Sequence, residues 1–279
     1  HSSNLCTEIT LNTSKEETAV CNLGSINLAQ HVRGGQLDIE KLQYTATVAM
    51  RMLDNVIDLN FYPIVEAKNS NLKHRPVGLG IMGFHDALYQ MGINFDSEEM
   101  VEFADYSMEA VSYYAIYGSA MLAKERGAYS TFRGSKWDRG IFPVDTIALL
   151  EQERGEAIPV SRTGRLDWEP VKAAVAEYGM RNSNTMAIAP TATISNISGA
   201  IPSIEPIYKN IYVKANISGD FVIINQYLVE DLKKIGMWND DMVGQLKFHD
   251  GRVSAIDGIP QELKDKYKEV FEIDPKWLI

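Results

Sequence analysis

Apolar residues recur along this chain with two periods. Between Ile39 and Ile57 they fall at helical spacing (Ile39, Leu42, Ala46, Ala49, Leu53, Val56 and Ile57), which predicts an amphipathic helix capped by Asp38 and ending near Asn60. Asp96, with Glu99 three residues on, opens a second long helix in the manner of a capping box, running to about Glu125. Its seam would be Met100, Ala104, Met108, Val111, Ala115, Gly118 and Leu122, with the methionines as core filler. Shorter helices are predicted over Phe84–Met91 with Gly92 as stop, from Asp167 to Tyr178 with Gly179 as stop, over Tyr227–Ile235, and over Pro260–Val270 with Lys264 and Lys266 exposed.

Short apolar runs at Val77–Met82, Met186–Ile188 and Ile211–Val213 predict strands. Pro63 and the polar stretch Lys68–Arg75 read as a connection, and residues 128–166 as loop-rich, with Gly155, Gly164 and several turn signals. At the start of the chain, Asn4-Leu5-Cys6-Thr7-Glu8 reads as extended. Alternation then turns Asn4, Cys6 and Glu8 to one side and Leu5 and Thr7 to the other, with Asn4 and Glu8 roughly 13 Å apart. The stretch Thr18–Ser25 around Cys21 is strand-like by its apolar framing. Strands alternating with helices across short turns imply an α/β fold built on a parallel sheet or barrel.

The chain has 279 residues, 45% hydrophobic and 23% charged, enough to build a full core as one large domain or two. A net charge of −10 argues against a duplex nucleic-acid binder, which needs a basic face, but leaves room for a nucleotide pocket. No apolar run approaches the ~18 residues of a membrane span, and no signal peptide is visible. Two cysteines fit a reducing cytoplasm.

Those two cysteines and five histidines show no metal-ligand spacing, and neither His1 nor His31 is spaced as a hydrolytic base for a cysteine nucleophile. A cysteine framed by apolar residues reads first as a small buried hydrophobe. With Asn4 and Glu8 about it and no group lowering its pKa, Cys6 also suggests hydrogen-atom chemistry, since a protonated thiol donates a hydrogen atom and its oxidised form abstracts one.

Two loops compete as anion sites. Gly78-Leu79-Gly80-Ile81-Met82-Gly83 spells G-x-G-x-x-G, but the polar, proline-containing stretch before it is not the apolar strand that delivers a dinucleotide loop. Thr191-Ala192-Thr193-Ile194-Ser195 follows a short apolar run and Pro190, and reads either as a hydroxyl-rich turn or helix cap or as a phosphate cradle. Glu205 reads as buried, hydrogen-bonded and structural. Lys209 and Lys214 read as solvated cations with the reach to neutralise a phosphate.

Residues 1–33, above all Ser3-Asn4-Leu5-Cys6-Thr7-Glu8-Ile9 and Ala19-Val20-Cys21-Asn22-Leu23, resemble the active-site finger loop of the ribonucleotide reductase large, catalytic subunit. The resemblance continues in family order through Arg75-Pro76-Val77-Gly78-Leu79-Gly80, Ala123-Lys124-Glu125-Arg126-Gly127, Ala189-Pro190-Thr191-Ala192-Thr193-Ile194-Ser195 and Ser203-Ile204-Glu205-Pro206. It covers essentially the whole chain and is closest to the class I enzymes.

The resemblance implies part of a ten-stranded α/β barrel with a central finger loop carrying the radical cysteine. Its parts would be a finger loop and flanking strands (1–33), helices and a barrel strand (34–127), a loop-rich insertion (128–166), and a phosphate-binding loop with C-terminal helices (167–279). It also implies reduction of ribonucleoside diphosphates to deoxyribonucleoside diphosphates. Cys6 would become a thiyl radical that takes the 3′ hydrogen, Glu8 would accept the 3′-hydroxyl proton, and Asn4 would hold the sugar hydroxyls. Cys21 would be one half of the redox dithiol. Ser3, Leu5, Leu23 and the loop Pro190, Thr191, Ala192, Thr193 and Ile194 would contact substrate. Tyr113-Tyr114 sits mid-helix and is not assigned to the radical relay.

No cofactor is expected on this chain. The radical would come from a metal-containing small subunit, or from adenosylcobalamin in the alternative class. Further expected partners are thioredoxin or glutaredoxin and the N-terminal half of the large subunit, with neither nucleic acid nor membrane, in an allosteric, oligomeric, cytoplasmic enzyme. The partner of Cys21 and the regulatory loops would precede His1, and the relay tyrosines would follow Ile279. The chain alone is therefore expected to be inactive. The rival from another class is a nucleotide-binding or assembly module that has lost catalysis.

Overall fold

The computed structural model describes residues 2–217 and 219–279 and is mixed α/β. The chain opens with β1 (Ser2–Ser3), β2 (Thr10–Leu11), β3 (Leu23–Asn27), β4 (Val32–Arg33), β5 (Gln36–Leu37), α1 (Ile39–Leu59) and α2 (Val65–His74). Then follow β6 (Gly78–Met82), α3 (Phe84–Met91), α4 (Glu98–Arg126), α5 (Thr146–Arg154), α6 (Glu169–Tyr178) and α7 (Ile194–Ser198). The last elements are β7 (Ile211–Asn216), β8 (Gly219–Ile224), α8 (Gln226–Lys234), α9 (Asp240–Phe248) and α10 (Gln261–Lys266). Strands pair as β1–β2, β3–β6, β4–β5 and β7–β8. Two compact units result: residues 1–26, 37–81 and 104–191, and residues 27–36, 82–103 and 192–279.

In the first unit, Asp38 caps α1 as its position predicts, accepting from the Lys41 amide at 3.1 Å. Leu42, Ala46, Met50, Leu53 and Ile57 form its buried face, whereas Val56 is exposed, correcting its assignment to the stripe. The polar stretch 68–75 is not a connection. It is most of α2, which ends where Arg75 adopts a left-handed conformation at φ 47°. A second core joins Ile116 and Ala120 of α4 to Tyr129, Phe132, Phe142 and Val171 and Val175 of α6. Within 128–166, α5 is an additional helix that buries none of its residues, which is why no periodicity announced it. Glu169 N–H donates to Asp167 Oδ1 at 3.0 Å, and Gly179 ends α6 as expected.

The centre of this unit is three extended segments side by side. Gly78 N–H donates to the Asn22 carbonyl at 2.8 Å, Val77 N–H to Asn184, Leu79 N–H to Thr185, and Ala187 N–H back to Leu79. Met186 makes a parallel bridge to Leu79, so residues 186–188 contribute a bridge and not the strand expected. The glycines of β6 permit this approach. A Cβ on Gly78 would lie 2.6 Å from Ala187 Cβ and 2.7 Å from Leu23 Cδ2, and one on Gly80 would run into the Ala187 carbonyl oxygen.

Behind these segments lies Asp54, a carboxylate with no exposure at all. Its Oδ1 accepts from Arg75 Nε at 2.8 Å and Asn182 Nδ2 at 3.2 Å, and its Oδ2 from Arg126 and Arg181, each at 3.2 Å. Arg75 also forms a two-pronged pair with Asp58, both bonds at 2.8 Å. That pair holds the Asp58 carboxyl below its ordinary range.

In the second unit, α3 runs over its expected span, and Gly92 ends it in a left-handed conformation. The helix α4 starts one residue later than predicted. Ser97 Oγ caps it by accepting from Met100 N–H, while Asp96 takes an ion pair from Lys268. Tyr89, Leu228, Leu232, Leu246, Val253 and Tyr267 make the core. The strand expected at 211–213 extends to Asn216 and pairs antiparallel with β8, Ile211 facing Ile224. The helix expected over 260–270 is only α10, and Lys266 is half-buried against Asp231. Glu205 is exposed, contrary to expectation, and Lys209 is paired with Asp250.

Two acids of this unit carry a pH dependence. Burial pushes the Glu269 carboxyl up to about 7, partly offset by the hydrogen bond it accepts from Asn210 N–H, and pushes Asp86 up to about 6. Each therefore stays protonated in the fold over a range in which the unfolded chain ionises it. The stability they contribute is complete below the ordinary carboxylate range and is lost as pH rises toward 7.

Two outcomes are expected. Asp54→Ala leaves buried guanidinium groups without their carboxylate and should cost about 3–5 kcal/mol in urea unfolding, with Asp54→Asn milder. Glu269→Gln should flatten the stability-versus-pH curve relative to the parent between pH 4.5 and 7.5, by about 2–3 kcal/mol across the window.

Candidate functional site

The segment that carries Cys6 is not a strand. Residues 4–9 form a loop between β1 and β2, whose residues pair as Ser2 with Leu11 and Ser3 with Thr10. Asn4 N–H donates to the Ile9 carbonyl at 3.4 Å and closes the neck of the loop, and Thr7 N–H donates to the Asn4 carbonyl at 3.2 Å and closes a turn within it. Thr7 takes a left-handed conformation at φ 59°, a strained choice for a β-branched residue. The alternating-face expectation fails for this reason. Extended backbone would hold Asn4 and Glu8 roughly 13 Å apart; here the chain turns back on itself between them, and Asn4 bonds Ile9, the residue after Glu8.

This geometry sorts the side chains. Leu5 is 98% exposed and Cys6 is exposed beside it at the tip. Asn4 and Glu8 are half-buried, and Asn4 Oδ1 and Glu8 Oε2 are buried atoms with no hydrogen-bond partner. A buried acceptor left unpaired costs about 1–3 kcal/mol, so two on one loop are unusual. The Asn4 amide is engaged elsewhere: its Nδ2 donates to Cys21 Sγ at 3.6 Å.

Cys21 precedes β3, which begins at Leu23 rather than earlier as the apolar framing suggested. Cys21 packs in one apolar cluster with Ile9, Leu11, Ala19, Leu23 and Ala187. Its neighbour Asn22 is buried and held twice, by Gly78 N–H on its carbonyl and by its own Nδ2, which donates to the Pro76 carbonyl at 3.2 Å. Nothing in the sequence pattern singled out Asn22, because a polar residue inside an apolar run carries no signal until the strand it clamps is known.

A second polar group of the first unit was also not anticipated. His74 Nε2 bonds Glu17 Oε2 at 2.7 Å, His74 Nδ1 bonds Thr131 Oγ1 at 2.8 Å, and Lys73 pairs with the other Glu17 oxygen. Lys73, then His74, lower the Glu17 pKa. The group borders a pocket of about 230 Å³ that also takes in Thr10, Asn12 and Ser183.

The other predicted segment runs through Pro190, which is exposed, and Thr191, which is buried and left-handed at φ 55°. Ala192, Thr193 and Ile194 are exposed, and α7 begins at Ile194. Thr193 stands at the helix start without making a side-chain cap. Buried Ser195 Oγ has no partner. Of the literal G-x-G-x-x-G, Gly78 and Gly80 lie within β6 and serve strand packing, while Gly83 is the left-handed residue that opens α3, so the motif is mostly strand and not the loop between strand and helix that cradles a dinucleotide. Among the described residues no group of three or more His, Cys, Asp or Glu side chains is disposed to hold a metal, and no helix is long and apolar enough to cross a membrane.

Comparison with known proteins agrees with the sequence motifs. The family model described as the ribonucleotide reductase barrel domain matches residues 1–279. The ribonucleoside-diphosphate reductase subunit alpha of Chlamydia trachomatis is 59% identical over 278 residues, covering 99% of this chain and 27% of that protein. The ribonucleoside-diphosphate reductase large subunit of Caenorhabditis elegans is 39% identical over 278 residues, covering 99% of the chain and 34% of the relative. The corresponding large chain of Schizosaccharomyces pombe is 38% identical over 277 residues, with 99% and 33% covered. The chain thus spans about a third or less of the relatives it matches.

Proposed function

This chain belongs to the ribonucleotide reductase barrel-domain family, and on that premise we propose that it is the radical-bearing part of a large subunit that reduces ribonucleoside diphosphates. The observation that carries the reading is the loop 4–8: two buried acceptors without partners, Asn4 Oδ1 and Glu8 Oε2, at the neck of a loop whose tip exposes a thiol. A ribose offers adjacent hydroxyl donors for such acceptors, and its 3′ carbon carries the hydrogen that a thiyl radical on Cys6 would remove. Glu8 takes the 3′-hydroxyl proton as general base. The 2′ hydroxyl leaves as water, and Cys6 returns the hydrogen atom at the end.

Two electrons and two protons are needed for that reduction. Cys21 supplies half, and the other half comes from a cysteine outside this sequence, because its two cysteines are Cys6 and Cys21 and the first must remain for the radical. The two thiols become a disulfide, which thioredoxin or glutaredoxin reduces. The chain accordingly needs the rest of the large subunit for turnover.

The exposure of Ala192, Thr193 and Ile194 at the start of α7, with the Thr193 side chain not used as a cap, supports a role for Pro190 to Ile194 in binding the diphosphate. Ser3, Leu5 and Leu23 complete the sugar surroundings. The parallel bridge of residues 186–188 to β6 supports membership of a larger, ten-stranded α/β barrel with loop 4–9 as its finger. A metal-containing small subunit is the radical source that suits the class I resemblance, with adenosylcobalamin as the alternative. The full enzyme on this reading is an allosteric oligomer of the cytoplasm.

In the full-length large subunit supplied with a radical generator, thiol reductant and ribonucleoside diphosphate, Cys6→Ser should reduce deoxynucleotide formation at least about 10³-fold, as loss of an essential covalent participant does. Nucleotide affinity should stay within about twofold, because the thiol reacts without anchoring the substrate. Retained turnover in Cys6→Ser would refute the assignment.

A further inference from the structure

The group built on His74 is a second set of reactive side chains, and the proposed reductase chemistry uses none of it. Glu17, His74 and Thr131 stand in line, with Glu17 Oε2 on His74 Nε2 at 2.7 Å and His74 Nδ1 on Thr131 Oγ1 at 2.8 Å. A hydroxyl within reach of an imidazole that a carboxylate orients is the arrangement by which an alcohol side chain becomes nucleophilic. We propose that Thr131 is a nucleophile, that His74 is its general base and Glu17 the residue that positions the base, and that together they cleave small uncharged esters bound in the adjoining pocket.

Hydrogen-bonding capacity fixes the direction of the relay. Lys73, then His74, hold the Glu17 carboxyl below its ordinary range, so it is an ionised group that can only accept, and it takes the proton on Nε2. In the neutral ring the Nδ1 lone pair is then left to the Thr131 hydroxyl, which has a proton to donate. Each member is anchored independently. The Glu17 carbonyl accepts from Thr13 Oγ1 and from Ser14 N–H, both at 2.9 Å. His74 ends α2, and its carbonyl accepts from Ser183 N–H at 3.1 Å. Thr131 follows Ser130, whose Oγ donates to the Lys73 carbonyl at 2.9 Å.

The pocket of about 230 Å³ opens on the nucleophile and its base, since Thr131 and His74 both line it. Buried Leu11, Pro76 and Tyr129 supply apolar lining, and no Lys, Arg, Asp or Glu side chain lines it, which suits a short uncharged ester. Among the described residues the Thr131 N–H and the Asn184 side-chain amide donate no hydrogen bond, so both are available to an oxyanion. The step balances without a further reagent. Thr131 Oγ forms a bond to the acyl carbon as its proton passes to His74 Nδ1. The bond from that carbon to the ester oxygen breaks, and the leaving alcohol takes the proton. Water then adds to the acyl-threonine by the same route and releases the carboxylic acid.

The test uses p-nitrophenyl acetate as the probe, in a Cys6→Ser/Cys21→Ser form of this chain so that neither thiol takes the acetyl group. With protein in excess, release of p-nitrophenol should exceed the buffer rate at least about 10²-fold, the usual contribution of a positioned general base. Peptide mapping of the quenched reaction should find the acetyl group on Thr131. Thr131→Val removes the hydroxyl at similar shape and His74→Asn removes the base, and each should return the rate to that of buffer, whereas Thr131→Ser should retain it. Circular dichroism and the thermal midpoint report folding of each variant, and the Val and Ser variants suffice if His74→Asn does not fold. The parental rate in Thr131→Val, acetyl groups confined to Lys73 or other side chains, or release no faster than in buffer would overturn the assignment. None of these outcomes touches the reductase reading, which stands or falls on Cys6→Ser.

Discussion

The Asp54 carboxylate, sealed from solvent, is the shared acceptor of Arg75, Arg126, Arg181 and Asn182, and so ties α1 to the start of β6, the end of α4 and the segment entering residues 184–187. Burying an acid among arginines is favourable only when every partner stays in place, because each charge removed leaves another uncompensated in a poorly polarisable interior. That all-or-none character fixes where two of the three central extended segments begin. Arg75 adds to it by closing α2 in a left-handed conformation and passing directly into Pro76, the residue whose carbonyl holds Asn22.

From that anchor the arrangement propagates by backbone bonds. The registers of Val77 on Asn184, Gly78 on Asn22 and Leu79 on Thr185 set the third segment, and with it the Cys21 sulfur. The loop above is attached to that sulfur by Asn4 and to the same apolar cluster by Ile9. A thiol able to carry a radical needs exposure to its substrate, and groups that position a sugar need fixed geometry. Under the proposed function the loop would divide these demands between a tip with exposed Leu5 and Cys6 and a neck in which Asn4 and Glu8 are half-buried. The strain at Thr7 belongs to the tight turn that makes the division possible.

What the sequence revealed was local, and what it hid was set by distant contacts. The Asp38 cap, the Gly92 stop and most of the α1 face, Val56 excepted, follow from residues a few positions apart. The alternation of Asn4 to Glu8 misled because one backbone bond across the loop neck and another closing the turn within it outweigh a local preference for extension. α2 and α5 escaped notice because neither presents a broad apolar face: α2 buries Ala67, Ser70 and Asn71, and α5 buries nothing. The strand β8 was missed for a related reason, its residues being mostly exposed, although Asn225 and Gly219 bracket it. Asn239 caps α9 through Met242 N–H and was a usable signal that went unread. Asp54 carries no signal in the sequence, and only the arrival of three arginines from elsewhere in the chain explains it. The candidate residues Asn4, Cys6, Glu8 and Cys21 were legible as a resemblance, whereas the orphaned acceptors and the amide–sulfur contact belong to the three-dimensional arrangement alone.

The central claim is that the loop presents a sulfur to the 3′ carbon of a ribose while its neck holds the sugar hydroxyls. Single-turnover reduction of a 3′-deuterated ribonucleoside diphosphate by the full-length large subunit with its radical source tests this most directly. The account predicts slower reduction than with the protiated nucleotide and a product that keeps most of its deuterium at the 3′ carbon. Equal rates under conditions where bond cleavage limits turnover, or complete replacement of the 3′ deuterium by solvent hydrogen, would contradict it.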